Sequence, residues 1–259
     1  MSPRLRRALP ALVLLALLIG GWEAYVDAAG LEEAVLPAPH AVARAFWNSR
    51  SLLTQNFLVT AEEVLLGLAL ALALGLATAL AIHLSPLLRR AAYPLLVGSQ
   101  AVPVPVVGVL LVFWWGFGIL PKLVVIALIC FFPVVVTTVD GLARLDAEQG
   151  KLLRTLDATR WQALRFAELP AALPEALSGA RIALAVGVIG AFIAETTTPT
   201  FGAHPGLGRE IMNDVNFQTA RAYAGTAMLV AFAVACFYSI TLAERRLAPW
   251  RLARREQTP

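Results

Sequence analysis

Few residues in this 259-residue chain have the type and spacing that chemistry demands. Gly150-Lys151 resembles part of a phosphate cradle, but Leu152 follows where Ser or Thr is needed. Leu145 also stands where the first Gly of Gly-x-x-x-x-Gly-Lys-Ser/Thr belongs. No nucleotide loop results. The sequence has neither a Gly-x-Ser-x-Gly elbow nor a His/Glu pair at zinc-ligand spacing, so hydrolysis has no nucleophile and no metal. Cys130 and Cys236 lie far apart inside apolar runs, as small hydrophobes rather than a disulfide or metal pair.

The other notable polar groups lie in or beside apolar runs. Gln100, between Gly98 and Pro103, is a costly amide in hydrocarbon, and Pro103 and Pro105 free carbonyls beside it. Two arrangements relieve that cost: lining a cavity, or a hydrogen bond between helices. Glu195, followed by three Thr, is the deepest acid; it either reaches outer water or serves the path of a solute. Gln100, Pro103, Trp114 and Glu195 are the candidate pathway residues.

One polar segment has local structure written into it. Thr159-Arg160-Trp161-Gln162 has the form of a capping box, with Thr159 capping a helix and Gln162 reaching back. Pro170 biases Leu169 away from the α region, so the spacing predicts a two-turn helix ending near Glu168. Trp161, Leu164, Arg165 and Glu168 would share one mixed face. Such a helix either lies on headgroups or is held out to a partner.

The elements that must position these residues are set by composition. The chain is 59% hydrophobic and 15% charged, with mean hydropathy +0.72, which excludes a water-soluble globular protein. Apolar runs over 8–26, 57–82, 92–115, 119–139, 179–197 and 223–243 are each about the length that crosses hydrocarbon, so six transmembrane helices are expected. The first run also has the form of a signal peptide, but its length and the anchors Trp22 and Tyr25 favour a retained span.

Charge sets the direction. With the N-terminus inside, sixteen of the 21 Lys and Arg fall in inner segments and five in outer ones, which places both termini in the cytoplasm. The net charge of +4 therefore reflects orientation; no basic block or interleaved aromatic series marks a nucleic-acid surface. The outer stretch 27–56 contains Leu-Pro-Ala-Pro, whose second proline, Pro39, opens a short interfacial helix through Phe46 and Trp47. The inner stretch 140–178 is too long for a mere connector. No ionisable residue occupies the middle of a run, so ion-coupled transport is disfavoured and uphill movement needs energy from another subunit.

The inner stretch is similar to the cytoplasmic loop of binding-protein-dependent ABC importer permeases. That family's pattern is Glu-Ala-Ala, three residues, Gly, nine residues, Ile-x-Leu-Pro. Here the spacing holds from Lys151 to Pro170, with Leu169 and Pro170 matching. Lys151, Leu152, Leu153, Asp157 and Ala167 stand in for Glu, both Ala, Gly and Ile. Asp tolerates positive φ better than most residues, so the turn survives the exchange. Leu36-Pro37-Ala38-Pro39, Ser99-Gln100-Ala101-Val102-Pro103, Gly116-Phe117-Gly118-Ile119-Leu120-Pro121-Lys122, Ala194-Glu195 and Gly206-Leu207-Gly208 resemble the nitrate, sulfonate and taurine branch. That branch also holds permeases for the thiamine pyrimidine precursor and similar heterocycles.

The resemblance implies an all-α integral membrane protein with the type I ABC importer permease fold, multi-pass in the bacterial inner membrane. It implies a single permease domain over 1–259 and no enzyme activity of its own. It implies no cofactor in this chain, ATP and Mg being bound by a partner ABC ATPase dimer. An extracytoplasmic solute-binding protein and a second permease copy complete the assembly in membrane lipid. The residues it assigns to ATPase coupling are Lys151, Leu153, Arg154, Leu156, Asp157, Ala158, Thr159, Arg160, Trp161, Leu164, Leu169 and Pro170. The alternative class is a channel-like or scaffold membrane protein without an ATPase.

Overall fold

Leu, Ala, Val and Ile dominate the runs between prolines and glycines, and such runs form helices whose backbone groups are satisfied internally. The computed structural model describes residues 3–144, 151–153, 155–198 and 205–247, and every regular element among them is helical. In chain order these are α1 (Pro3–Ala29), α2 (Pro39–Asn48), α3 (Arg50–Leu84), α4 (Pro86–Ser99), α5 (Val104–Trp115) and α6 (Ile119–Ala143). Then come α7 (Arg160–Ala163), a π turn (Leu164–Glu168), α8 (Leu169–Thr197), α9 (Leu207–Asp214) and α10 (Thr219–Leu247). Five stretches among the described residues are long and apolar enough to cross a membrane.

The third apolar run, 92–115, departs from the single crossing expected of it. It is two helices, α4 and α5, broken at 100–103. Pro103 lacks an N–H and holds the preceding residue out of the α region, so the helix cannot continue. At 12 residues, α5 rises about 18 Å, short of about 30 Å of hydrocarbon. Gly116 then closes α5 at φ +74°, a conformation that favours glycine, and leads into α6.

The described residues group into two units, one from 1–59 and 204–230, the other from 60–203 and 231–259. In the second, α6 is the central helix, with Val125, Ile126, Cys130, Val134 and Val135 buried. Close-packed glycines fix the directions of its neighbours. A Cβ at Gly67 of α3 would meet Ile126 at 2.6 Å, and one at Gly75 would meet Val134 at 2.7 Å, so α3 and α6 run parallel. Along α8 the order reverses: Gly179 sits against Thr137 and Gly187 against Cys130, which makes α8 antiparallel to α6. Small residues at such seams let membrane helices approach closely enough for dispersion to hold them.

In the first unit, Pro39 opens α2 as the sequence leads one to expect. Glu23 of α1 accepts from the His40 backbone N–H at 3.2 Å, placing an acid at the α2 N-terminus, where the helix dipole favours it. Trp47 at the far end of α2 is exposed and carries the Arg50 guanidinium 4.9 Å above its ring.

Candidate functional site

The connection between α6 and α8 is shorter than the 140–178 expected, because α6 persists to Ala143 and α8 begins at Leu169. Of this connection, 145–150 and Arg154 lie outside the described residues. So does the closing segment 248–259 with Arg251, Arg254 and Arg255.

The site begins with a helical turn over 151–153, where Thr155 Oγ1 donates to the Lys151 carbonyl at 3.0 Å. Ala158 N–H then donates back to the Leu153 carbonyl at 3.0 Å across Asp157, which adopts φ +50°. This is a left-handed helix end, and it stands at the position where the family pattern carries Gly. The next helix starts at once. Thr159 Oγ1 accepts from Gln162 N–H at 3.3 Å and Gln162 Oε1 accepts from Thr159 N–H at 2.8 Å, the reciprocal capping box expected from the sequence.

Beyond this box the structure departs from the two-turn helix. Pro170 does not end it: Leu169 is helical at φ −63° and its N–H reaches Leu164, five residues back. The π turn over Leu164–Glu168 widens the backbone just ahead of the proline, whose ring would clash with a carbonyl one turn back, and α7 continues into α8. The expected face is also split. Leu164 is 1% exposed and packs with Leu142, Ala172 and Leu80, while Trp161 is 64% exposed.

Two polar links fasten this segment to α3. Arg160 Nη2 donates to the Leu84 carbonyl at 3.0 Å, placing a cation at the α3 C-terminus, and Glu168 Oε2 lies 2.7 Å from His83 Nε2. A third link joins Arg144 to Glu175 at 2.7 Å. Leu152, Leu156, Trp161 and Phe166 remain exposed on a segment otherwise clamped in place. Lys151, Asp157, Thr159 and Arg160 are exposed with them. A rigid element that presents bare aromatic and aliphatic side chains has the makings of a docking surface.

The pathway candidates are not gathered in one place. Gln100 and Pro103 are exposed at the break between α4 and α5, and Trp114 is exposed on α5. Glu195 does not reach water. It is fully buried, accepting from Thr60 Oγ1 at 2.6 Å, and three residues along α3 from Thr60 the Glu63 carboxylate accepts from Lys122 Nζ at 2.7 Å. Lys122 and Glu63 are 1% and 2% exposed. In the sequence both fall near the ends of apolar runs, Glu62-Glu63 in 57–82 and Lys122 in 119–139, and no local signal pairs them.

In the first unit, Arg221 binds both carboxylate oxygens of Asp214 and lies 3.2 Å from Glu210. Partial burial pushes the Glu210 carboxyl above its ordinary range and Asp214 adds to that, against the pull of Arg221. Among the described residues no three His, Cys, Asp or Glu side chains converge as metal ligands.

Comparison with known proteins gives this geometry its context. Residues 69–249 match the family described as binding-protein-dependent transport system inner membrane component. The riboflavin transport system permease protein RibX of Chloroflexus aurantiacus is 35% identical, over 96% of this chain and 95% of that one. The formylaminopyrimidine transport permease protein ThiX of Halalkalibacterium halodurans is 34% identical, over 84% of this chain and 86% of its own. A solved structure of an amino acid ABC transporter with histidines superimposes with TM-score 0.60 at 17% identity, covering 78% of this chain and 96% of the other, and so shares the fold. The channel and scaffold readings are thereby set aside: the chain belongs to the binding-protein-dependent transport system inner membrane components, as the membrane permease subunit of an ABC importer whose ATP hydrolysis is done by separate ATPase subunits.

Proposed function

We propose that residues 151–170 are the surface through which ATPase closure is transmitted to the membrane helices. The observation that carries this is the clamped segment with Trp161 bare: Arg160 and Glu168 are bonded to the end of α3 and Leu164 is buried, while Trp161 faces outward. Lys151, Leu153, Leu156, Asp157, Ala158, Thr159, Leu169 and Pro170 build or flank that surface, and Arg154 belongs to it by position in the sequence. The same reading puts both termini in the cytoplasm, on the excess of Lys and Arg in inner segments. Two copies of this chain pair in the membrane, each bearing on one ATPase, with a solute-binding protein outside. ATP and Mg are held by the ATPases, and no cofactor resides in this chain.

The solute is a small polar heterocycle of the thiamine-pyrimidine-precursor kind, in preference to nitrate, sulfonate or taurine. Relatives at 35% and 34% identity, named for riboflavin and formylaminopyrimidine transport, support that choice. The exposed Gln100 and Pro103 at the α4/α5 break, with Trp114, line its route, and the buried Glu195 holds the helices beside that route. Reconstitution of the permease with its ATPase and binding protein in proteoliposomes tests the assignment: uptake of a labelled aminopyrimidine should exceed that of taurine. Equal or reversed uptake refutes the solute class.

A further inference from the structure

Two buried acids and one buried lysine meet where α3, α6 and α8 come together. Thr60 and Glu63 stand three residues apart on α3, so their side chains share a face, and each reaches a different helix. Thr60 Oγ1 donates to Glu195 Oε1 of α8 at 2.6 Å, and Lys122 Nζ of α6 donates to Glu63 Oε1 at 2.7 Å. The two acids are thereby neighbours, and the Glu195 carboxyl stands within hydrogen-bond reach of the Glu63 carboxyl. Glu63 is 2% exposed and Glu195 fully buried, while Glu62, beside Glu63 on α3, is exposed. Lys122 supplies one positive charge for the two. The other oxygen of Glu63, Oε2, is buried and has no hydrogen-bond donor among the described residues. Two carboxylates offer each other acceptors alone, and like charges at such range do not both persist out of water.

One proton answers both the orphan oxygen and the surplus charge. We propose that Glu195 stands as a neutral carboxylic acid whose O–H donates to Glu63 Oε2, making it a positioning residue that fixes α8 to α3 beside the Lys122–Glu63 ion pair. Lys122 then donates to one oxygen of Glu63 and Glu195 to the other, and Thr60 donates to Oε1 of Glu195, its carbonyl oxygen. Both oxygens of Glu63 are paired and the cluster is neutral. The reverse assignment fails on the same geometry, because a proton on Glu63 would weaken its bond to Lys122 and strand the ammonium. Parting α8 from α3 then strands no ion, since Lys122 and Glu63 stay together, whereas parting α6 from α3 would strand two. The inference rests on the reading that Glu195 holds the helices beside the solute route, and names the bond by which it does so.

Infrared difference spectroscopy of the purified full-length permease at neutral pH, wild type minus Glu195→Gln, reads the proton directly. The difference should contain the carbonyl stretch of a neutral carboxylic acid and no band of a lost carboxylate. A glutamine amide keeps both a donor for Glu63 and an acceptor for Thr60, so Glu195→Gln should melt within about 2 °C of wild type. Glu195→Leu keeps neither and should melt about 5 °C lower, or fail to fold. The proposal falls if the difference spectrum shows a lost carboxylate in place of the acid band, or if Glu195→Gln melts about 5 °C below wild type. Should Glu195→Leu not fold, these two readings of Glu195→Gln decide by themselves. Neither measurement uses the ATPase, the binding protein or a solute. Solute uptake by Glu195→Gln in proteoliposomes, measured separately, reports on the route, which keeps a failure of that reading distinct from a failure of the proton assignment.

Discussion

His83 Nε2 and Glu168 Oε2 lie 2.7 Å apart, joining the last turn of α3 to the π turn ahead of α8. Both side chains are about one-fifth exposed, so the bond is shielded from competing water. With Arg160 on the Leu84 carbonyl, it ties the segment proposed to couple to the ATPase to the α3 terminus. His83→Ala should therefore cost about 1 kcal/mol of stability, visible as a small fall in melting temperature in detergent. It should lower binding-protein-stimulated ATP hydrolysis more than ATPase affinity, because the docking face itself is untouched.

Asp157 occupies φ +50° between the two helical turns of the segment. Asp157→Gly should be neutral or slightly stabilising, since Gly adopts this conformation without a Cβ clash. Asp157→Val places a β-branched side chain in the left-handed region and should cost about 1–3 kcal/mol locally. Thermal unfolding together with ATPase pull-down on both variants checks the contrast.

The buried Lys122 and Glu63 pair links the first turn of α6 to α3. Removing one partner strands a charge in a low-dielectric interior, at about 3–5 kcal/mol. Lys122→Met should accordingly lower the yield of folded protein, and Glu63→Gln combined with Lys122→Met should recover much of it. A double variant no better than Lys122→Met alone would show that the pair does not act as a unit.

Gly67 meets Ile126 where α3 and α6 run in parallel. Gly67→Ala should destabilise by about 1–3 kcal/mol through overpacking at that seam. Gly98→Ala, where a Cβ has nothing within 4 Å, is the matched control and should leave the melting temperature nearly unchanged.

What the sequence disclosed and what it withheld divide along physical lines. Periodicity-free apolar runs announce membrane helices because the bilayer imposes a length, local side-chain signals announce the Thr159 capping box and the Pro39 helix start, and the Gly of the family pattern marks the left-handed turn at Asp157. Each of these depends on residues within a few positions of one another. The failures depend on partners far along the chain. Of the two readings open for Glu195 in the sequence, the one that has it reaching outer water fails once Thr60, 135 residues away, is brought beside it. Lys122 reads as an outer basic residue until Glu63 claims it. The π turn is a third kind of miss: Pro170 signals a break, but a one-residue bulge satisfies the same steric demand without ending the helix.

The account stands most directly on Trp161. Titrating purified permease with its ATPase and following complex formation, wild type against Trp161→Ala, measures the claim. Loss of an exposed anchoring aromatic should weaken association by about thirtyfold and abolish stimulation of hydrolysis by loaded binding protein, with the variant still folded in the membrane. Normal association and normal stimulation in Trp161→Ala, together with loss of ATPase binding on substitution in the 27–56 stretch, would contradict both the coupling surface and the membrane orientation.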